Sequence, residues 1–283
     1  MIALIGPTAS GKSDLAIKLA LKYGYDILSL DSLSIYKEVD IASAKPSIDE
    51  LNLVKHYGIN EIYPNEKFDV MKFIEIYQKI KDKKIIIVGG SSFYLKAMLS
   101  GISPMPKITE EIKKEAKKYN WEFLEKIDKN YALQIKPQDN YRIEKGIEIY
   151  LSTNTPPTKY FEQNPPKPII KNCNIYEIAV DRNILRERIK IRTQKMFEMG
   201  LIDEVAYLES KYRDRNLPAL KAIGVKEVLE YFNGVYDKKT LQEKIVTNTA
   251  RLAKRQQTFN KTQFSGKISL SLRDLEDKLL KNN

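Results

Sequence analysis

The stretch Ile2–Ser13, IALIGPTASGKS, decides the fold of this chain. Its apolar run Ile2–Ile5 predicts a buried strand, and Gly6–Ser13 matches the phosphate-binding loop pattern GxxxxGK[ST]. The residues after Ser13 are apolar at helical spacing, which completes the strand–loop–helix context that the pattern requires. Because backbone amides in such a loop face phosphate oxygens, the stretch predicts a site for a di- or triphosphate.

Each residue type in the loop has a physical role. Gly6 and Gly11 allow a tight turn and a close approach to the ligand, and Lys12 brings a full charge to the terminal phosphate. The Ser13 hydroxyl is the candidate ligand for Mg²⁺, the expected cofactor. The predicted phosphate-binding residues are Gly6, Pro7, Thr8, Ala9, Ser10, Gly11, Lys12 and Ser13.

Composition indicates a globular protein. Of 283 residues, 42% are hydrophobic and 30% are charged, and no apolar run approaches the ~20 residues that a membrane helix needs. The first residues enter a strand at once, so we expect no signal peptide and a cytoplasmic location without membrane contact. The single cysteine, Cys173, excludes an internal disulfide.

The formal net charge of +11 bears on the class of partner. A global positive excess steers encounters with nucleic acid and releases counterions on contact. The alternative is a surface rich in solvated lysine, as in the run Lys81, Lys83 and Lys84. Charge alone therefore favours a nucleic-acid partner only modestly.

Two further strands are predicted, each with polar residues at its carboxyl end. Asp26–Leu30 leads into Asp31 and Ser32, and the β-branched run Ile85–Val88 leads into Gly89–Ser91. Strands that alternate with helical stretches indicate an α/β fold with a parallel sheet, here of the P-loop NTPase type. Ligands of such sheets bind beyond the carboxyl ends of the strands, so we expect the three segments to face one cleft.

Asp31 is the best-placed carboxylate near the predicted phosphate site. It could cap a helix, hold magnesium through water, or act as a general base. The strand Ile85–Val88 lacks the terminal aspartate that many nucleoside triphosphatases use for the metal. Position alone favours a catalytic role for Asp31 and leaves the capping role open.

An ordered set of motifs resembles the tRNA dimethylallyltransferases, also called tRNA isopentenyltransferases, over nearly the whole chain. The matching residues are Gly6–Ser13, Asp31-Ser32, Ile35-Tyr36, Ala44–Pro46, Gly89–Ser91, Tyr94, Lys96, Arg192, Met196, Gly200-Leu201, Ala222–Gly224, Leu252–Gln256 and Thr258. A phosphate loop alone would be unspecific, whereas this ordered combination is specific.

The resemblance implies a reaction. A five-carbon prenyl group passes from dimethylallyl diphosphate to the exocyclic amine of the adenosine just 3′ to the anticodon, position 37. The loop would hold the diphosphate of the prenyl donor, although its pattern is the one associated with ATP. By resemblance, Asp31 accepts the amine proton, and Thr8 and Arg192 contact the donor diphosphate; these three are the candidate catalytic residues.

The resemblance also implies contacts with the tRNA anticodon stem-loop. The matching positions are Asp31, Ser32, Leu33, Ser34, Ser91, Lys113, Tyr141, Arg142, Ile143, Glu144, Lys145, Lys221, Gly224, Lys254 and Arg255. For any single lysine the alternative is a solvated helix face. Departures from the family pattern at Ser34, Val225, Ala250 and Phe259 affect individual tRNA contacts and leave the donor site intact.

We expect a core formed by residues 1–105 and 176–264, interrupted by a small helical insertion, 106–175, that clamps tRNA. Residues 265–283 form a tail with no evident chemistry. A monomer suffices for this reaction. Two rival functions use the same loop: an ATP-dependent small-molecule or nucleoside kinase, and a non-catalytic RNA-binding protein with a vestigial loop.

Overall fold

The computed structural model describes residues 1–281 and has an α/β architecture built on one parallel sheet. Six strands lie in the order β3-β2-β4-β1-β5-β6. Their bounds are β1 Ile2–Ile5, β2 Asp26–Ser29, β3 His56–Tyr57, β4 Ile85–Gly89, β5 Asn174–Ile178 and β6 Ile268–Leu270. All pairings are parallel, which confirms the predicted fold class.

Fourteen α-helices are found within residues 1–281. They are α1 Lys12–Tyr23, α2 Ile48–Leu53, α3 Val70–Ile80, α4 Ser92–Ser100, α5 Glu110–Ala116, α6 Trp121–Ile127, α7 Lys129–Ala132, α8 Asn140–Thr153, α9 Pro157–Gln163, α10 Arg182–Glu198, α11 Leu201–Tyr212, α12 Val225–Phe232, α13 Lys238–Gln263 and α14 Leu272–Leu280. A short 3-10 helix covers Pro218–Lys221.

The central strands are those with continuous apolar sequence. Every residue of β4 is buried, as expected for a strand covered on both faces by helices. β1 lies between β4 and β5 in a register that sets Ile5 beside Gly89. The phosphate loop and the glycines after β4 therefore leave the sheet at the same edge.

Two compact units are distinguished within the chain. The first comprises Met1–Lys96 together with the chain from Lys171 onward, and the second is Ala97–Ile170. Both limits of the second unit lie earlier in the chain than the expected insertion, 106–175. Its own core is helical and contains Leu124, Ile143 and Ile147.

One segment differs from the prediction of its sequence pattern, and another agrees with it. The two Pro-Pro pairs of Pro156–Pro168 predict a non-helical connector, but the segment contains a helix, α9, because Pro157 occupies its first turn, where a missing N–H costs nothing. The predicted tail, 265–283, has a brief strand-like pattern followed by a charged helical one, and it forms β6 on the edge of the sheet and then α14, which packs against α1. Residues 282 and 283 of that tail lie outside the described residues.

No helix within residues 1–281 combines the length and the apolar character that crossing a bilayer requires.

Candidate active site

The phosphate loop turns directly from β1 into α1. Gly11 precedes the helix with a φ of 90°, a left-handed conformation that favours glycine. A Cβ on Gly11 would also lie 2.9 Å from Leu272 Cδ2, so α14 closes off this side of the loop. The loop is therefore shaped by its glycine and supported by the C-terminal helix.

Lys12 carries its ammonium into the site. Its Nζ donates a hydrogen bond to the carbonyl of Pro7 at 3.3 Å. Burial, together with the positive charge of Arg192, lowers the pKa of Lys12 to about 8, and the carboxylate of Asp31 opposes both effects. Throughout residues 1–281, no carboxylate lies within 4.0 Å of this ammonium. A buried cation without a carboxylate partner is available to bind an anion.

Arg192 approaches the same loop from helix α10. Asp181 caps that helix by accepting from the amides of Asn183 and Ile184. About three turns further along the helix, Arg192 Nη1 lies 3.5 Å from Thr8 Oγ1. Burial lowers the pKa of Arg192, against the opposing influence of Asp31. The predicted pair of Thr8 and Arg192 is thus adjacent in the structure.

Asp31 stands beyond the carboxyl end of β2 and holds a turn; residues 32–35 are not helical, so the helix-capping alternative is wrong. Its Oδ1 accepts from the amides of Leu33 at 2.9 Å and Ser34 at 3.0 Å. Among the described residues, no hydrogen bond reaches its Oδ2. One carboxylate oxygen therefore fixes the turn, and the other is available to a proton on a bound substrate.

One cavity of about 370 Å³ brings most of the predicted residues together. From the candidate set it is lined by Thr8, Lys12, Ser13, Asp31, Ser32, Leu33, Ser34, Ser91, Arg192 and Lys221. A second cavity, about 520 Å³, lies on the other side of the loop and shares Lys12, Ser13 and Arg192 with the first. The loop residues Ala9, Ser10 and Gly11 line this second space.

A loop with residues 39–46 forms another wall of the first cavity. Glu204 on α11 fixes it by accepting from three consecutive amides, those of Asp40, Ile41 and Ala42, at 2.7–2.9 Å. Lys45 adds bonds to the Tyr36 carbonyl at 2.6 Å and to a side-chain oxygen of Asp40 at 2.7 Å. These contacts set the shape of the wall before any ligand binds.

Gln256 is a site residue that the sequence-based candidate set missed. It lies on α13, lines the first cavity, and accepts from the amide of Thr8 at 2.8 Å. Its Nε2 donates to the carbonyl of Gly90 at 3.0 Å. The available signal was the Lys254–Gln256 motif, of which only the first two residues were taken as functional.

Comparison with known proteins identifies the family. The sequence model of the IPP transferase family matches residues 34–263. This chain belongs to the IPP transferase family. A tRNA dimethylallyltransferase from Nautilia profundicola is 72% identical over 280 residues, covering 99% of each chain, and one from Sulfurovum is 50% identical over 99% of this chain and 97% of its own. The crystal structure of a tRNA isopentenylpyrophosphate transferase from Staphylococcus epidermidis is 28% identical, with a TM-score of 0.69 over 98% of this chain and 96% of its own.

The predicted tRNA-binding residues of the first unit differ in their exposure and in their distance from the first cavity. Lys221 ends the 3-10 helix and lines the first cavity, whereas Lys254 and Arg255 are exposed on α13. Gly224 is buried with a φ of 95°, and its amide donates to Glu227 Oε2 at 2.7 Å. Gly224 therefore shapes the start of α12 and presents no side chain.

The remaining predicted positions lie in the second unit, on α5 and α8. Tyr141 is 72% exposed, and Lys145 Nζ lies 5.9 Å from the centroid of its ring. Arg142 pairs with Asp139, Lys145 with Glu148 and Lys113 with Glu110. Glu144 is half-buried, and Ile143 is only 3% exposed because it belongs to the core of this unit. The Ile143 side chain therefore packs inside this unit rather than at its surface.

The residues near Ser13 limit how a divalent metal could be held. Ser13 lines both cavities beside Lys12, and no cluster of three or more metal-binding His, Cys, Asp or Glu residues occurs in the described part of the chain. Mg²⁺ keeps several waters and commonly binds through few protein groups together with substrate phosphates. The Ser13 hydroxyl and a bound diphosphate fit that mode.

Proposed function

We propose that this chain transfers the dimethylallyl group of dimethylallyl diphosphate to the exocyclic amine of adenosine 37 in tRNA, with release of diphosphate. The observation that carries the proposal is the cavity in which Lys12 and Arg192, neither neutralised by a close carboxylate, face Asp31. A departing diphosphate requires positive charge, and an attacking amine requires a base. Lys12, Arg192 and Asp31 line the same cavity, which supports assigning the two roles to them.

The reaction breaks the carbon–oxygen bond between the prenyl group and the diphosphate and forms a carbon–nitrogen bond to adenine. Lys12, Arg192 and the amides of the phosphate loop stabilise the negative charge that develops on the leaving group. Mg²⁺, held by Ser13 and the diphosphate, would add further neutralisation of that charge. Thr8 Oγ1, beside Arg192, contributes a hydroxyl at the same position.

Asp31 receives the proton that the amine loses. Adenine's exocyclic nitrogen is a poor nucleophile because its lone pair is delocalised into the ring, so a positioned base assists the attack. Asp31 Oδ1 is held by two backbone amides, and the residue lines the first cavity, which leaves Oδ2 as the oxygen assigned to the amine proton. To reach it, the base must leave the anticodon-loop stack, at a cost of a few kcal/mol.

We assign the binding of the anticodon stem-loop to two sets of residues. The first surrounds the cavity: Ser32, Leu33, Ser34, Ser91, Lys221, Gly224, Lys254 and Arg255. The second belongs to the helical unit Ala97–Ile170: Lys113 and Tyr141–Lys145. We further propose that the enzyme acts as a monomer in the cytoplasm, where its tRNA substrate is found.

A product assay tests the proposal. Purified protein is mixed with unmodified tRNA, dimethylallyl diphosphate and Mg²⁺ without ATP, and the tRNA nucleosides are analysed by mass spectrometry. The expected product is adenosine carrying one five-carbon prenyl group at position 37. Hydrolysis of ATP with transfer of phosphate to a small molecule would instead indicate a kinase, a function that the family membership does not support.

A further inference from the structure

Gln256 forms hydrogen bonds to two other segments that line the first cavity. The residue lies on α13, while its hydrogen-bond partners, Thr8 N and Gly90 O, lie in the phosphate loop and after β4. The two bonds, 2.8 Å and 3.0 Å, use both ends of the side-chain amide. A single side chain thus bridges the phosphate loop and the end of β4, in addition to the pairing of β1 with β4.

Gly90 leaves the space that this arrangement requires. A Cβ at that position would lie 2.7 Å from Gln256 Nε2 and 3.7 Å from Lys12 Nζ. The first distance is too short for a carbon and a nitrogen, so any larger residue would push the Gln256 amide away. Glycine is needed here for the close approach of a side chain rather than for a positive φ.

Thr8 is held from two directions. Gln256 accepts from its backbone amide, and Arg192 Nη1 lies 3.5 Å from its hydroxyl. Losing Gln256 leaves the Thr8 amide without this partner and frees the loop to move relative to Lys12 and Arg192. The position of the diphosphate-binding groups therefore depends on a residue that comes from α13.

We propose that Gln256 is a positioning residue for the diphosphate, holding the phosphate loop against the end of β4 so that Lys12, Thr8 and Arg192 converge on one ligand. The inference rests on the proposed function for the prenyl part of the ligand, but it requires only a diphosphate in the loop. Direct contact between Gln256 and tRNA would be a different role, and it would change tRNA binding instead.

Steady-state kinetics separate these roles. Gln256→Met keeps the length of the side chain and removes both hydrogen bonds. We expect the KM for dimethylallyl diphosphate to rise roughly tenfold or more, as for two lost hydrogen bonds, with kcat and the KM for tRNA changing much less. Gln257→Met is the matched control, because Gln257 lines a different cavity on the same helix. An increase confined to the KM for tRNA would overturn the proposal.

Binding of inorganic diphosphate gives a readout that does not depend on prenyl transfer. Calorimetry should show weaker binding, by roughly tenfold, to Gln256→Met than to the unchanged protein. If the unchanged protein fails to prenylate tRNA while this difference persists, the proposed function is wrong and the positioning role stands. Equal diphosphate affinity in the two proteins would refute the positioning role whatever the enzyme does.

A double-mutant cycle tests whether Gly90 and Gln256 act together. It does not use Gln256→Met, so it remains informative if that variant folds poorly. Gly90→Ala should weaken diphosphate binding because its methyl group displaces the Gln256 amide. Adding Gly90→Ala to Gln256→Ala should cause little further loss, since the shortened side chain no longer collides. Additive losses would mean that the two residues act independently and would contradict the proposal.

Discussion

The ammonium of Lys12 predicts a pH dependence of donor binding. Burial and the nearby Arg192 lower the pKa of Lys12 to about 8, so in the free enzyme its charge is present below pH 8 and is lost as the pH rises above it. The diphosphate needs that charge. We therefore expect kcat/KM for dimethylallyl diphosphate, measured at saturating tRNA, to fall about tenfold per pH unit above pH 8.

Arginine at the same position is the control for this titration, because it stays charged throughout the accessible range. Lys12→Arg should lower kcat/KM at every pH through altered geometry and should abolish the fall above pH 8. If the fall persists unchanged in that variant, another group is titrating and the assignment to Lys12 is incorrect.

Asp31 combines a structural and a chemical role, and two substitutions separate them. Asp31→Asn retains an oxygen that can accept from Leu33 and Ser34 but removes the base, so turnover should fall by about 10²–10⁴ with little change in thermal stability or tRNA affinity. Asp31→Ala also removes the two hydrogen bonds that hold the turn and should cost about 1 kcal/mol of folding stability in addition. Normal turnover in Asp31→Asn would exclude the base role.

Single residues differ in how far sequence could locate them. The phosphate-loop pattern identified Lys12 and Ser13, and the strand end identified Asp31, because those positions follow from local spacing. The role of Gln256 depends on α13 packing beside two segments that are distant in the chain, and no local pattern expresses it. Ile143 matched a family position, yet its burial follows from how α8 packs in the second unit.

At the scale of elements, helix α14 supports the helix that begins with the phosphate loop. Leu275 is fully buried and shares a core cluster with Leu15 and Leu19 of α1. Tyr23 donates to the carbonyl of Leu279 at 2.7 Å, which anchors the other end of the same pair of helices. The C-terminal helix is thus part of the scaffold of the donor site.

Truncation of Leu275 tests that scaffold role. Leu275→Ala should lower the free energy of unfolding by about 2–5 kcal/mol, since it removes a buried side chain and leaves a cavity under α1. Leu21→Ala is the control: Leu21 lies on α1 but is 53% exposed, so its change should stay within about 0.5 kcal/mol. Equal losses in denaturant unfolding would show that α14 adds no support.

The elements themselves were largely readable from sequence where their pattern was continuous. The strands expected at Asp26–Leu30 and Ile85–Val88 appear as Asp26–Ser29 and Ile85–Gly89. Strand β6 has three residues and no apolar run, so its pairing to β5 depends on the sheet edge already being present.

At the scale of the whole molecule, the net charge of +11 exceeds what a small diphosphate requires. Lys254 and Arg255 are exposed on α13 next to Gln256, which lines the cavity at the carboxyl edge of the sheet. Lys81 and Lys84 are equally exposed but precede β4, at the opposite edge. The position of a charge, rather than its presence, should decide whether it contacts tRNA.

This contrast gives a prediction for tRNA binding as a function of salt. The dissociation constant should rise steeply with added salt, because phosphate contacts release counterions. Changing Lys254 and Arg255 together to Gln should weaken binding and reduce the slope of log affinity against log salt by roughly one to two. Changing Lys81 and Lys84 together to Gln removes the same charge and should leave that slope unaltered. If both double variants lower the slope equally, tRNA is attracted by net charge alone and α13 has no special part in binding.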